Sequence, residues 1–551
     1  MNAQISMEMM RKNKPQLQRE REALDKGVSR TRKSNQRAIQ NQSETTTQTG
    51  RIALAGAILP LQVALDSWLS PKSTAKYGGK YKEYFRLLDS TLCACVIARA
   101  VVDGISRERK TTATAGAIGR AIQQEYQLQQ FKINHKELFT ASLTELKTEA
   151  NYMKERKLVA NLRKVGIMSK QWATEDLIQI GMISLLLMQK YTGLIKIYEK
   201  LENGKRISMV APTEQMVTWL SESYEKTALN SFVYEPMIEP PLDWKDNFTG
   251  GYLLSQFQSR GLFHNARHKH DDTEYDDCPA VFDAVNHLQS TAWRINTKVY
   301  DIASKLWEHG EEVAGLPSRD YYPEPDASAY KENIKEYYLE VQRIRYKNNT
   351  NVGKRYRVNE TLKLAEKFYS EPKFWYPFHL DFRGRAYPFV KTLSPQGSDL
   401  AKGLLMFAEG KPILNKEQET FFYVHGANLF GVQGSIENKL QWVKDNESWF
   451  MNTGNDARYY LWQQADKPFQ FLAWVFDYVG YKTNGKKHLS HIPIAMDGSC
   501  NGIQIMSLLL LDEDTAHKTN CTPSDSPQDL YQQIADEVNT KLKANPDETN
   551  L

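Results

Sequence analysis

One stretch constrains this chain more than any other. His491-Ile-Pro-Ile-Ala-Met-Asp497-Gly-Ser-Cys-Asn-Gly502 runs directly into the largely apolar residues Ile503 to Leu511. The apolar run before Asp497 predicts a buried strand. Gly498 to Gly502 predict a sharp turn, and Ile503 to Leu511 a buried helix. A carboxylate between a strand's C-terminal end and a helix N-terminus stands where ligand sites form in such sheets. It could hold a hard cation such as Mg²⁺, with a backbone carbonyl as a further oxygen donor. It could equally be a turn-forming Asp-Gly that caps the helix. A third chemistry shares the stretch. Gly498-Ser-Cys500-Asn-Gly502 has the form of a nucleophile elbow, with His491 or His425 as a possible base for the thiol.

A second constellation is Phe374-Trp-Tyr-Pro-Phe-His-Leu-Asp381-Phe-Arg383-Gly384-Arg385-Ala-Tyr-Pro388. Arginine forks onto phosphate oxygens, and a neighbouring acid can orient one fork. Gly384 lets a nucleic-acid backbone come close, and the aromatic residues can stack on bases. The bland alternative is a surface Arg–Asp pair worth under about 1 kcal/mol. A third cluster holds His264, His268, His270, Asp271 and Asp272, with Cys278 nearby. Its spacing fits no zinc pattern, and it reads as a solvated polar loop.

Periodicity divides the rest. Residues 1–50 predict a polar helix that fades into a Gln/Ser/Thr linker, Gln40 to Thr49. Ile52 to about Met188 is helical in pattern, with Leu87–Val102 and Ala117–Gln130 as examples. Leu194–Tyr198 and Arg206–Val210 flank Asn203-Gly204 and predict a hairpin. Residues about 280–370 predict long polar helices, including Tyr330 to Tyr346. After Phe374, short apolar strands alternate with helices. The expected class is therefore α+β, mainly helical.

Charge and cysteine use bound the function classes. The net charge is +5, and residues 1–50, with ten Lys/Arg and five acids, supply all of it. A basic leading segment suits a polyanion, although a solvated helix would look the same. Glu20, Glu22 and Asp25 argue against an organellar transit peptide. No run of about 18 apolar residues predicts a membrane span, and no secretory signal is apparent. Five scattered cysteines without a C-x-x-C pair suit a reducing compartment without structural zinc.

Taken together, the first two constellations resemble the single-subunit RNA polymerases of the phage type. Asp381-Phe-Arg-Gly-Arg385 is similar to their D-x-x-G-R motif, and Asp497-Gly-Ser-Cys-Asn-Gly-Ile-Gln504 to their motif A. Pro395–Leu405, His425–Asn428 and Asp466–Ala473 follow as landmarks in family order. Upstream, Ala117–Ala121, Pro240–Trp244 with Thr249–Tyr252, and Thr291–Asn296 are similar too.

The resemblance implies an architecture. A basic arm (1–50) would precede a helical promoter-binding domain (51–285) and thumb-like helices (286–371). A first part of a right-hand polymerase palm (372–513) and a start of fingers (514–551) would follow. It implies template-directed nucleotidyl transfer with Mg²⁺ held by Asp497 and the carbonyl of Gly498. Asp381, Arg383, Gly384 and Arg385 would contact nucleic acid, and Tyr531 the incoming nucleotide. Lys72, Lys76 and Lys80 fall near the family's promoter-reading loop, and Asn203 and Gly204 at its DNA-intercalating hairpin. The implied partners are promoter DNA, a template strand, an RNA transcript and ribonucleoside triphosphates, with no membrane, in the cytoplasm of an infected bacterium.

The sequence also departs from the family pattern. Ile505 and Asn501 replace a His and a small Ser, and neither change removes a metal ligand. The fingers Lys and Tyr and the second palm aspartate, in an H-D-S/C-type motif, are missing from these residues. Their only His-Asp dipeptide is His270-Asp271. The expectation is residues that make no RNA alone, being part of a longer sequence, the product of a truncated gene, or one half of a split enzyme whose second polypeptide carries the rest. A DNA-binding remnant and a Cys500 hydrolase are the alternatives.

Overall fold

The computed structural model describes residues 14–71, 78–147, 151–167, 171–202, 204–258, 260–264, 278–330, 333–456, 460–495, 498, 500–524 and 527–544. The fold is mainly helical, with four small sheets among the described residues. Two compact units divide the chain. One is helical (17–233 and 322–350); the other is mixed (1–16, 234–321 and 351–551).

In the helical unit, α1 (Lys14–Gln40) is followed by α2 (Gln48–Leu69). The stretch between them is not the plain linker expected. Thr47 caps α2 by accepting from the amide of Gly50 at 2.9 Å. Glu44 is fully buried, and its carboxylate accepts from the amides of Gly104 (2.6 Å) and Ser106 (3.3 Å). Polar composition suggested solvent, but here it satisfies an otherwise orphaned turn.

α2 packs with α3 (Ser90–Val102), α4 (Thr111–Asn134) and α7 (Thr174–Thr192) around Leu61, Leu65, Ile97, Val101, Ile118, Ile122 and Ile180. Between α4 and α7 lie α5 (Lys136–Lys147) and α6 (Asn151–Lys164). By length and composition α2 could cross a membrane, which the sequence reading did not foresee. Here its Ala53, Ala57, Leu61 and Leu65 face enters the core.

Small residues set how closely α4 and α7 approach. A Cβ on Gly119 would lie 2.1 Å from the carbonyl oxygen of Leu177, and one on Gly181 would lie 1.8 Å from that of Ala115. The expected hairpin forms from β2 (Ile195–Glu202) and β3 (Lys205–Pro212), antiparallel, with β1 (Arg109–Lys110) on the far side of β3. α8 (Glu214–Leu229) follows.

After a short helical turn at Ser255–Gln258, the mixed unit has β4 (Phe263–His264), α9 (Pro279–Gln289), β5 (Ala292–Ile295) and α10 (Thr297–His309). The long polar helix expected after residue 330 is α11 (Ile334–Lys367), whose residues are shared between the units. Then come β6 (Phe374–Trp375), β7 (Phe378–Asp381), β8 (Ala386–Pro388), α12 (Asp399–Gly403), β9 (Leu405–Phe407) and β10 (Lys411–Pro412). β5 pairs antiparallel with both β6 and β9, and β7 lies between β4 and β8.

The core of this unit is α16 (Pro468–Asn484), packed by α13 (Lys416–Phe430), α14 (Ile436–Asp445) and α15 (Glu447–Asn455). Phe422, Phe430, Trp442, Trp449, Phe450, Phe471, Trp474 and Tyr478 stack edge and face there. β11 (Leu489–Ser490), α17 (Asn501–Leu510), α18 (Glu513–Lys518) and α19 (Leu530–Ala544) complete it.

Two expectations for the stretch around Asp497 need correction. The strand ends at Ser490, and Ile494 and Ala495 are exposed. Pro493 lacks an N–H and so suits no central strand. The following helix forms, but of its residues only Ser507 is buried, and Leu509 is 74% exposed. Apolar composition predicts burial only where another element covers it.

The α4–α7 contact gives a stability test. Gly181→Val places its new atoms against a backbone carbonyl that cannot rotate away. It should destabilise by about 3 kcal/mol or more in a denaturant titration. Gly56→Ala in α2, with nothing within 4 Å of the new Cβ, should instead stabilise by up to about 1 kcal/mol.

Candidate functional site

Asp381 ends β7 and organises the turn into β8. Its amide donates to the carbonyl of Arg385 (3.0 Å), and its carbonyl accepts from Gly384 (2.9 Å). Gly384 has φ +76°, a conformation that glycine adopts without the Cβ penalty. The carboxylate is fully engaged. Oδ1 accepts from the amides of Arg383 (2.9 Å) and Arg385 (3.0 Å). Oδ2 accepts from Nε (3.0 Å) and Nη2 (2.8 Å) of the Arg383 guanidinium. Desolvation pushes the Asp381 carboxyl up, but these bonds outweigh it and hold it below its ordinary value. The Arg383 guanidinium is raised by the same hydrogen bond.

The two arginines, equivalent in sequence, therefore differ in the fold. Arg383 is committed to Asp381 and lies 5.4 Å from the ring centre of the exposed Phe382. Arg385 is exposed, and its guanidinium makes no hydrogen bond among the described residues. β4 runs parallel beside β7, with His264 opposite Asp381. One histidine of the expected polar loop thus belongs to the sheet. His268, His270, Asp271 and Asp272 lie outside the described residues, while Cys278 is exposed just before α9. Among the described residues no group of three or more His, Cys, Asp or Glu is placed to hold a metal ion.

Asp497 itself lies outside the described residues, but its setting is defined. Gly498 is crowded: a Cβ there would lie 2.0 Å from Oδ1 of Asn501. Gln504, one turn into α17, donates through Nε2 to the carbonyl of Thr519 at 2.7 Å. Upstream, Phe407 donates its amide to the carbonyl of His491 (2.8 Å), and His491 Nδ1 donates back to the Phe407 carbonyl (2.9 Å). The buried Asp477 on α16 accepts from His488 Nε2 at 3.0 Å and from the Ser490 hydroxyl. The approach to Asp497 is therefore clamped from both sides.

A cavity of about 110 Å³ lies under Ile492–Ala495, lined also by Trp293, Lys402, His425 and Gln470. Burial, with a smaller contribution from the charge of Lys467, pushes the His425 imidazole down to about 4. Neither His425 nor His491 bonds to Cys500 among the described residues.

Cys500 is buried where α17 begins. Its thiol faces Tyr531, whose phenol is raised first by that hydrogen bond. Both line a cavity of about 290 Å³ that also receives Lys439 and Lys518. Burial lowers the Lys439 ammonium. This meeting of Cys500, Tyr531 and two lysines was not read from sequence. It depends on how α19 returns over a stretch 31 residues earlier, which no local pattern encodes.

On the helical unit, Lys72, Lys76 and Asn203 lie outside the described residues. Lys80 is exposed, 4.8 Å from the ring centre of Tyr81. Gly204 turns the β2–β3 hairpin at φ +75°, and Leu201 near its tip is 71% exposed.

Known proteins resemble this chain. A family model described as DNA-dependent RNA polymerase matches residues 412–550. The T7 RNA polymerase of Escherichia phage T7 is 27% identical over 557 residues, covering 96% of this chain and 62% of that protein. The DNA-directed RNA polymerase of Enterobacteria phage K11 is 31% identical over 389 residues, 67% of this chain and 42% of that protein. A mitochondrial DNA-directed RNA polymerase of Schizosaccharomyces pombe is 27% identical over 84% of this chain and 44% of its own length. The chain belongs to the single-subunit, phage-type RNA polymerase family. It spans 62% of the length of the phage T7 relative.

The buried imidazole of His425 sets a pH dependence. Its folded value, about 4, lies below the ordinary 6.5, so protons favour the unfolded chain. The stability it contributes is present above about pH 6.5 and is lost as pH falls toward about 4, by about 3 kcal/mol in all. Denaturation midpoints across this range should fall for the parent, and the fall should be shallower in His425→Phe.

Proposed function

We propose that this chain carries the promoter-contacting, thumb and first palm elements of a DNA-directed RNA polymerase. The domain limits follow the family order: 51–285 for promoter contact, 286–371 for the thumb, 372–513 for the palm and 514–551 for the start of the fingers. The reading rests on one observation. The Asp381–Arg385 turn and the Gly498–Gln504 turn-to-helix stand in family order within one compact unit.

The reaction joins the 3′-hydroxyl oxygen of the transcript to the α-phosphorus of a ribonucleoside triphosphate. The bond from that phosphorus to the β-phosphate oxygen breaks, pyrophosphate leaves, and the hydroxyl proton is lost. Asp497 and the carbonyl of Gly498 are hard oxygen donors, so they suit Mg²⁺ in kind. When bound, the ions acidify the hydroxyl and neutralise the leaving phosphate.

The remaining roles fall to the chain's own groups. Asp381 holds Arg383 and both arginine amides, which fixes the turn before any strand arrives. Arg385, exposed and with no hydrogen bond from its guanidinium among the described residues, offers its fork to a backbone phosphate. Tyr531, steadied by Cys500, presents a ring beside the lysine-lined cavity, where an incoming nucleotide could stack. Leu201 and Gly204 at the hairpin tip suit a wedge between base pairs. Lys72, Lys76 and Lys80 suit phosphate contacts. The partners are promoter and template DNA, transcript and ribonucleoside triphosphates. The phage relatives point to the cytoplasm of an infected bacterium.

Two-metal transfer uses more than one carboxylate, and residues 1–551 contain no second H-D-S/C-type aspartate. On this reading residues 1–551 alone extend no primer, and a second aspartate must be supplied in cis or in trans. Primer extension with ribonucleotides tests the proposal, with and without a polypeptide that provides it. Extension should require both parts and Mg²⁺. Asp497→Ala should lower it at least about a hundredfold, and Cys500→Ala should leave most of it. No extension in any combination would leave a DNA-binding role as the better reading. Complete loss on Cys500→Ala would favour the thiol.

A further inference from the structure

One surface of the mixed unit is apolar and bare. α17 carries no charge from Asn501 to Leu510. Ile505, Met506, Leu508, Leu509, Leu510 and the adjoining Leu511 are each more than half exposed. At about 100° per residue, the consecutive leucines point in widely different directions, so the bare surface runs round the helix. Ser507 is its one buried residue, and the short helix α18 is the element it mainly packs against. α19 adds a second face. Ile534, Val538 and Leu542 recur every four residues, share one side of the helix, and are all exposed. The two helices meet where they begin, with Cys500 against Tyr531.

Contiguous apolar surface of this kind marks an interaction site, and its shape restricts the occupant. A ten-residue helix rises about 15 Å, half of the roughly 30 Å that a bilayer core requires. Asp512, Glu513 and Asp514 follow directly, which suits an anionic lipid surface poorly. A second copy would cover one self-complementary patch and leave the far side of α17 in water. A helix that is apolar all round takes cover on several sides, as from a chain that folds over it. The phage T7 relative contains such a chain, since residues 1–551 span only 62% of its length.

We propose that α17 and the Ile534–Val538–Leu542 face of α19 form the seat of one polypeptide, the part of the family's length that residues 1–551 do not match. It would meet this surface with apolar side chains from at least two of its own elements, whether joined to this chain or supplied separately. The identity of that partner rests on the polymerase reading; the bare surface itself does not.

Co-expression tests this. Tagged residues 1–551 are produced together with the part of the phage T7 protein that they do not match, and the tag is recovered. The partner should come with it. Recovery should fall about 10-fold or more when Leu509→Glu and Leu510→Glu are combined, because each buries a charge under apolar cover. Both side chains stand in solvent in the lone chain, so the double variant should keep the parent's thermal midpoint. Met506 gives a readout that needs no variant. Hydrogen peroxide should oxidise it readily in the lone chain and about 10-fold more slowly in the complex, with the fully buried Met237 as internal control. No co-recovery, recovery indifferent to the double variant, or equal oxidation of Met506 would each overturn the proposal. So would a dimer of residues 1–551 that the double variant dissociates in sedimentation, which would give the face to a second copy. Primer extension by the recovered complex separates this proposal from the polymerase reading. Recovery without extension keeps the seat and removes that reading, whereas extension that survives the double variant keeps the reading and removes the seat.

Discussion

The carboxylate of Asp399 accepts from the amides of Phe469 (2.8 Å) and Gln470 (3.2 Å) and from the Gln470 side chain (3.1 Å). It thereby seats the N-terminus of α16. Burial raises the Asp399 carboxyl in spite of these donors, so the cap forms at a desolvation cost that the aromatic core must offset. With that end fixed, Phe471, Trp474 and Tyr478 meet the rings of α13 and α15. Toward the other end, Asp477 reaches the segment that leads to Asp497. Two stretches that carry the family resemblance, Pro395–Leu405 and Asp466–Ala473, are thus joined physically as well as in order.

Much of this was legible in sequence. Helical spacing located α4, alternation with Asn-Gly located the β2–β3 hairpin, and the run after Tyr330 located α11. Each is a local signal, because propensity and period act over a few residues. At Asp381–Arg385 the sequence marked out the residues, an aspartate, two arginines and a glycine, but not the turn between β7 and β8 that they build.

What failed to show was everything set by distant partners. Glu44 was read as part of a linker because its acceptors' donors lie on Gly104 and Ser106. Arg383 and Arg385 looked alike because only the fold decides which one Asp381 takes. α17 was read as buried because apolar composition reports a preference for cover without naming the covering element. His264 was grouped with a polar loop, yet it sits in register with Asp381. The contact of Cys500 with Tyr531 had no sequence signal. The Cys500 thiol therefore gains a neighbour that a nucleophile would not need, while neither candidate histidine bonds to it.

The clamp on the approach to Asp497 has a further consequence. That segment is held by a two-residue strand pair, one acid and one reciprocal backbone–imidazole contact, rather than by a full ladder. Proteins open in cooperative pieces of unequal stability, and thinly bonded pieces open first. Amide hydrogen exchange should therefore divide this unit sharply. The aromatic heart of α16 would exchange only through global unfolding, whereas residues 488–492 would exchange through a local opening. Residues 488–492 can breathe while the helix beneath them stays shut.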